Sequence, residues 1–333
     1  MILLPVDPAR PDAAALAPAA ETLRRGGLVA FPTETVYGLG AHALDPAAVA
    51  RIYAAKGRPG YNPLIVHVAD ADAARALSSA WPAEADALAA AFWPGPLTLV
   101  VPRHPSVPDS VTAGLPSVAL RVPAHPVAHA LLRAAGVPVA APSANRSTEV
   151  SPTTAQHVAR SLGERVDVIV DGGPCPVGIE STVLSLVGGV PTLLRPGTIS
   201  VDDLRPVIGE VALPSAEPHA TAARPSPGMM DRHYAPRAPL HLFNDPAEVR
   251  SDAGEKTVVL VMPDAPRPAL PFGADVMEMP ADPRTYASRL YSLLHELDER
   301  GYARVWVQPP PDAPAWAGVR DRLRRAASPH PLA

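Results

Sequence analysis

The sequence predicts an α/β protein: a mixed, twisted sheet with helices over residues 1–210, and a smaller parallel unit over 241–333. Three observations predict it. Short apolar runs alternate with helical patterns through the first 210 residues, the order of a sheet covered by helices. The stretch 211–240 then loses periodicity and turns rich in Pro, Ala and polar residues, the composition of a linker. After it a β-α-β order restarts, which gives parallel pairing through a crossover helix. A chain of 333 residues also exceeds the usual span of one core, so two domains are the natural division.

Leu28 to Phe31 reads as the first strand. Asp45 and Pro46 read as N-cap and first residue of a helix; Val49, Ile52 and Tyr53 form its apolar face and Gly57 stops it. Residues 64–68, 97–101, 118–122, 137–141 and 166–170 read as further strands. Residues 182–186 and 190–194 flank Gly188-Gly189, a hairpin signal. Ser151-Pro152 reads as an N-cap and first helical position, which would offer free N–H groups to an anion. In the second unit, residues 257–262 and 304–307 read as strands. Between them Asp282-Pro283 opens a helix carrying Tyr286, Leu290, Leu293, Leu294 and Leu297 on one face and ending at Gly301. A last helix spans about 316–326. This is a small Rossmann-like order, but no GxGxxG or GxxxxGK[ST] stands at a strand-to-helix turn, so it is assigned no nucleotide.

Composition narrows the function classes. A net charge of -4 argues against a constitutive nucleic-acid coat. The one cysteine, Cys175, excludes a disulfide framework within the chain and argues against a Cys-based zinc site. The N-terminus lacks a basic region followed by an apolar one, and no stretch is long enough to span a membrane; the expectation is a cytoplasmic protein. HExxH, CxxC and GxSxG are absent, so no hydrolase triad or protein-bound metal is expected.

The polar residues cluster in six segments. PTETVYGLG (32–40) follows a strand and carries Thr33, Thr35 and Tyr37; it is either a polar turn or a site. KGRPGYNPLIVHV (56–68) places Lys56 and Arg58 together, a point charge and a fork suited to a polyphosphate. In its strand Leu64, Val66 and Val68 share one face, and Ile65 and His67 the other. In SVALRV (117–122), Val118, Leu120 and Val122 oppose Ala119 and Arg121. Arg121 needs a partner, either a protein carboxylate or a substrate carboxylate. APSANRSTEVSPTT (141–154) leads from a strand into a Ser-Ala-Asn turn. GIESTVL and LLRPG place Ser181 and Arg195 on the two arms of the hairpin. SPGMMDRHYAP (226–236) sets His233 and Tyr234 inside the linker, where a simple tether needs no aromatic rings. Hydroxyls, cations and amides of this kind suit a nucleotide and a small zwitterion, with catalysis by positioning and charge neutralisation.

In this order and at these separations, PTETVYGLG, KGRPxxNPL, PSAN, SPT and GIESTV resemble the threonylcarbamoyl-AMP synthases. The SPGM…HYAP segment resembles the two-domain type, which has a YrdC-like catalytic domain, a linker and a C-terminal extra domain. The resemblance implies a synthase that condenses L-threonine, bicarbonate and ATP to threonylcarbamoyl-AMP and diphosphate, for a tRNA modification completed by a downstream transferase complex. It implies threonine contacts from Thr35, His67, Arg121 and Ser181. It implies ATP contacts from Arg58, Asn62, Ser117, the Ala141 backbone, Ser143, Asn145, Ser151, Arg195 and Tyr234, with Lys56 and Arg58 as catalytic cations. Mg²⁺ would accompany the ATP, held mainly by its phosphates. Gly60-Tyr61, Thr148 and Met230-Asp231 depart from the family's usual residues without removing a proposed ligand. Two rivals remain: a double-stranded RNA-binding module, and a related carbamoyl-transfer enzyme whose zinc-finger-like Cys clusters this chain lacks.

Overall fold

Ten short strands form the first sheet of the computed structural model, which describes residues 1–213, 233–252, 254–263 and 274–328. They are β1 (Ile2–Pro5), β2 (Val29–Phe31), β3 (Gly38–His42), β4 (Ile65–His67), β5 (Leu97–Pro102), β6 (Ser117–Arg121), β7 (Val139–Ala140), β8 (Val168–Asp171), β9 (Thr182–Ser185) and β10 (Thr192–Arg195). The order is β1-β8-β2-β3-β7-β4-β6-β5-β9-β10, with parallel and antiparallel neighbours mixed. The predicted mixed sheet is the one observed. Strand 137–141 shrinks to two residues because Pro138 and Pro142 bracket it and neither has an N–H for the ladder. The structure adds β1 and β3; the glycine-rich end of PTETVYGLG is strand, not loop.

Alternation along the strands sends side chains to opposite faces. Leu64, Val66, Val68, Val118, Leu120 and Val122 join the large cluster under the helices Pro46–Lys56 and Ala155–Leu162. Val29, Phe31, Val139, Val168 and Val170 pack on the other side against the helices Ala13–Arg24 and Pro126–Ala135. The helix Pro46–Lys56 has the predicted caps: Asp45 accepts from the Ala47 N–H, and Gly57 closes it in the left-handed region at φ 62°. The predicted helix start at Ser151 is wrong. The helix begins at Ala155 with Thr154 as its N-cap, its side chain accepting from the His157 N–H. Residues 151–153 stay extended because their backbone is already committed: the Pro152 carbonyl accepts from the Tyr37 N–H and the Thr153 carbonyl from the Cys175 N–H.

The second sheet comprises β11 (Leu240–Leu242), β12 (Thr257–Val261), β13 (Asp275–Glu278) and β14 (Arg304–Val307). Its order is β11-β14-β12-β13 and every pair is parallel, as the Rossmann-like reading requires. The helix Pro283–Glu299 starts at the predicted N-cap, Asp282, and buries Tyr286, Leu290, Leu293, Leu294 and Leu297. Of the linker segment 226–236, residues 226–232 lie outside the described residues.

The two sheets belong to one packed body. A single apolar cluster contains Val36, Val150 and Ile179 from the first unit with Tyr286, Leu290 and Tyr291 from the second. Backbone meets backbone at two glycines. A Cβ on Gly178 would lie 2.5 Å from the Ala287 carbonyl oxygen, and one on Gly318 would lie 2.6 Å from the Gly197 carbonyl oxygen. Gly318 sits within the helix Ala317–Ala327, where alanine would otherwise gain about 1 kcal/mol of helix propensity. The clash with rigid backbone outweighs that gain, since overpacking costs about 1–3 kcal/mol. Gly318→Ala is therefore expected to lower the thermal midpoint in scanning calorimetry; a raised midpoint would show that the units are not apposed through this glycine.

Candidate functional site

The sheet brings the scattered polar segments to one cleft. Its walls include Thr35, Arg58, His67, Arg121, Ala141, Ser143, Ser181, Arg195 and Tyr234, nine of the residues singled out in the sequence. Parallel pairing sets His67 of β4 directly beside Arg121 of β6, so both project from the same face. The β9–β10 register slips between Leu193 and Arg195. Such a bulge re-aims a side chain, and Arg195 is turned onto Ser181: its Nε and Nη2 donate to the Ser181 carbonyl at 3.1 and 3.0 Å, and Nη2 also to Oγ at 3.1 Å. Ser181 Oγ is 2.8 Å from Thr98 Oγ1, so its position is fixed from two sides.

Arg121 resolves the choice left open by its sequence. It is 3% exposed and pairs with a protein carboxylate, Glu34, at 2.7 Å from Nη2 to Oε1. Its Nη1 donates to Thr35 Oγ1 at 2.9 Å and its Nε to the Gly95 carbonyl at 3.2 Å. The Glu34 contact is close but lies off hydrogen-bond alignment, leaving Nη2 with unspent donor capacity. His67 is buried beside it with Nδ1 unpartnered. Burial, reinforced by the Arg121 charge, pushes the His67 imidazole down to about 3, so it is neutral at physiological pH.

Arg58 and Lys56 are held by backbone carbonyls. Arg58 donates from Nε to the Asn62 carbonyl and from Nη2 to the Pro63 carbonyl. Burial lowers it to about 10, which leaves it charged at neutral pH. Lys56 does not line the cleft. Its Nζ donates to the Ser143 carbonyl at 2.6 Å and to the Asn145 carbonyl, so it shapes the Ser-Ala-Asn turn from behind. Burial first and the Arg58 charge second hold its ammonium well below the ordinary lysine value. Asn145 donates to the Arg146 and Glu149 carbonyls and leaves Oδ1 unpartnered. Asn62 is fully buried, with both side-chain polar atoms unpartnered. Neither Asn145, Asn62, Ser117 nor Ser151 lines the cleft.

Tyr234 closes one wall at 1% exposure, with φ at 61°, a left-handed conformation unfavourable for a bulky residue. Three groups hold it there. Tyr291 stacks at 5.7 Å between centroids, His233 meets it edge-on at 3.9 Å, and the Arg322 guanidinium lies 5.1 Å from its ring centre.

The residue that sequence reasoning missed is Glu180. It lines the cleft and is 7% exposed. Its Oε1 accepts from Ser151 Oγ at 2.5 Å; its Oε2 accepts from Tyr291 Oη at 3.0 Å and from Arg322 Nε at 2.8 Å. Arg322 is fully buried and also donates to the Pro196, Glu180 and Asp321 oxygens. Burial alone would raise the Glu180 carboxyl; Arg322, Arg195 and the Ser151 hydroxyl outweigh it and hold it below the ordinary value. Glu180 stands inside the quoted GIESTVL, so a buried Glu amid apolar neighbours was a readable signal. Arg322 and Tyr291 carried none, being one arginine of an RLRR run and one aromatic of an amphipathic helix.

Comparisons with known proteins agree with this architecture. The family profile described as "Telomere recombination" matches residues 21–197, and the one described as "Threonylcarbamoyl-AMP synthase, C-terminal domain" matches residues 199–328. The chain is similar to a threonylcarbamoyl-AMP synthase of Bacillus subtilis (strain 168), 42% identical over 94% of this chain and 92% of that protein. It is 40% identical to the one of Pyrococcus abyssi (strain GE5 / Orsay), over 93% of each. The crystal structure of P. abyssi Sua5 complexed with L-threonine superposes with a TM-score of 0.89 at 38% identity, covering 98% of both chains. No helix among the described residues is long and apolar enough to cross a membrane.

The neutral His67 sets a pH dependence of stability. An unfolded imidazole takes up its proton near pH 6.5, the folded one only at about 3. Between those values the unfolded state binds one more proton, so stability falls as pH drops through the window, by about 1.4 kcal/mol per unit for this group. Urea denaturation of His67→Gln between pH about 4 and about 5.5 should show a pH slope shallower by about one proton. An unchanged slope would mean that His67 is charged in the folded chain.

Proposed function

The chain belongs to the threonylcarbamoyl-AMP synthase family, and we propose how its cleft performs that synthesis. It makes threonylcarbamoyl-AMP from L-threonine and ATP, an adenylyl transfer that serves the threonylcarbamoyl-adenosine modification of tRNA. In our reading the third substrate is bicarbonate. The threonine amine attacks its carbon and water leaves, giving a carbamate. A carbamate oxygen then forms a bond to the α-phosphorus of ATP as the bond to the diphosphate oxygen breaks. The observation that carries the reading is one cleft lined by three arginines with hydroxyl and imidazole groups between them: Arg121 beside Thr35 and His67, Arg195 on Ser181, and Arg58.

Arg121 takes the threonine carboxylate with the donor capacity that Glu34 leaves unused. Thr35 and Ser181 supply hydroxyls, and neutral His67 a ring nitrogen, for the amine and side-chain hydroxyl. Arg58 and Arg195 draw the triphosphate and neutralise charge on the departing diphosphate. Lys56 holds the turn of Ser143 and Asn145 against the phosphates, and the Ala141 backbone completes that wall; Asn62, Ser117 and Ser151 do not line it, and Ser151 acts on it through Glu180. Tyr234 covers the nucleotide, which shields a mixed anhydride from water. The donor set does not suit a protein-held metal: Glu180, the carboxylate among the described wall residues, is already engaged by Arg322, Tyr291 and Ser151. Mg²⁺ comes in on ATP in this reading. Residues 1–210 form the catalytic domain, 211–240 the linker and 241–333 the Rossmann-like domain. The setting is the cytoplasm, where a transferase complex passes the product to tRNA.

Incubation with ATP, L-threonine and bicarbonate should yield threonylcarbamoyl-AMP and diphosphate by mass spectrometry, with no product when threonine is omitted. Arg121→Ala should raise the threonine KM by about 30-fold or more while the ATP KM stays within about threefold, the loss of a buried charge contact. An unchanged threonine KM removes Arg121 from the threonine site. Salt-sensitive RNA binding without any threonine dependence would instead favour the RNA-binding module.

A further inference from the structure

The nucleotide end of the cleft has a carboxylate where a triphosphate is to bind. Glu180 lines the same walls as Arg58, Arg195 and Tyr234, and the charges of Lys56 and Arg195 both act on it. A bare anion there would repel ATP, and in a low-dielectric site the repulsion is large. In the first unit Ser151 supplies a neutral hydroxyl, and Arg195 a nearby charge whose Nε and Nη2 donate to Ser181. The countercharge comes from the other unit. Arg322, on the helix Ala317–Ala327, reaches across the junction with its guanidinium out of water and donates to both the carboxylate and the carbonyl of Glu180. Its own charge is further balanced by Asp321, which also holds Arg325. Tyr291 adds a hydroxyl to the same carboxylate oxygen.

We propose that Arg322 is a positioning residue of the synthase reaction: it masks the Glu180 carboxylate and fixes its rotamer, so that the triphosphate meets a net positive wall and Ser151 is held in place. The C-terminal unit thereby sets the ATP affinity of a cleft whose named ligands, Tyr234 of the linker apart, lie in the other unit. Masking has a signature that simple structural support lacks. Removing the arginine exposes the charge, and removing the charge as well repairs the defect. The threonine carboxylate is held by Arg121, which neither change removes. This inference rests on the synthase reading given above.

Full-length wild type, Arg322→Met, Glu180→Gln and the double variant are assayed for threonine-dependent diphosphate release, well below the melting temperature of each. R322M should raise the ATP KM at least about tenfold, with the threonine KM within about twofold. E180Q in the R322M background should restore the ATP KM to within about threefold of wild type, because the glutamine carbonyl still accepts from Ser151 and carries no charge. Failure of the double variant to improve on R322M, or a wild-type ATP KM in R322M, overturns the masking role. If R322M does not fold, the single E180Q variant decides. It leaves Arg322 charged beside the triphosphate and should lower the ATP KM, whereas an unchanged or raised KM overturns the proposal. A wild type without threonine-dependent activity refutes the synthase reading instead, which separates the two failures.

Discussion

A carboxylate and a guanidinium held together out of water constrain this molecule more than any other contact. Glu180 and Arg322 are each buried, and each would be costly to bury alone. Neither unit can therefore present its half of the pair without the other. Once they meet, the remaining lone pairs and N–H groups dictate their surroundings. Ser151 and Tyr291 must donate to the carboxylate, and the Pro196 carbonyl must receive Arg322 Nη1. Those partners lie in three separate stretches of chain. The cleft is thus assembled by satisfying one buried ion pair, and the apolar cluster spanning Val36, Ile179 and Tyr286 seals it from water.

Close approach of the two units makes this possible. Gly178 lets the segment leading to Glu180 run against the backbone of the helix Pro283–Glu299, and Gly318 lets the helix bearing Arg322 run against Gly197. The same proximity sustains the unfavourable backbone of Tyr234, over-determined by Tyr291, His233 and Arg322. A second, weaker clasp lies nearby. His157 and His295 stack at 3.8 Å across the junction, and His295 donates to the Ser151 carbonyl. Burial pushes both imidazoles down, to about 3 and about 4, which keeps two like charges from meeting face to face. Ser151 is so held by its hydroxyl and by its carbonyl, both from groups that the C-terminal unit supplies or orients.

Much of this was legible in the sequence, for reasons specific to the residues. Strict alternation in LIVHV and SVALRV assigned each side chain to a face, and the packing follows that assignment. Caps at Asp45, Gly57 and Asp282 are local chemistry and stand where they were read. Ser151-Pro152 has equally good local chemistry for a helix start, yet tertiary hydrogen bonds to residues 152 and 153 claim that backbone first. Arg121 could be seen to need a partner, but Glu34 precedes it by 87 positions and only the fold brings them together. Lys56 and Arg58 look alike in a motif; the structure turns Arg58 to the cleft and Lys56 to the back of the turn. Glu180 was visible in its motif, while its countercharge, 142 positions away, gave no pattern at all.

The central claim is that Glu180 and Arg322 are coupled across the two units rather than separately useful. A double-mutant cycle on unfolding free energy, measured by urea denaturation of the full chain at neutral pH, tests it most directly. Arg322→Met alone should lose about 3–5 kcal/mol, because it strands a buried carboxylate. The double variant with Glu180→Gln should be more stable than R322M despite carrying one more substitution, giving a coupling energy of about 2 kcal/mol or more. Losses that simply add, with a double variant less stable than either single one, would contradict the account.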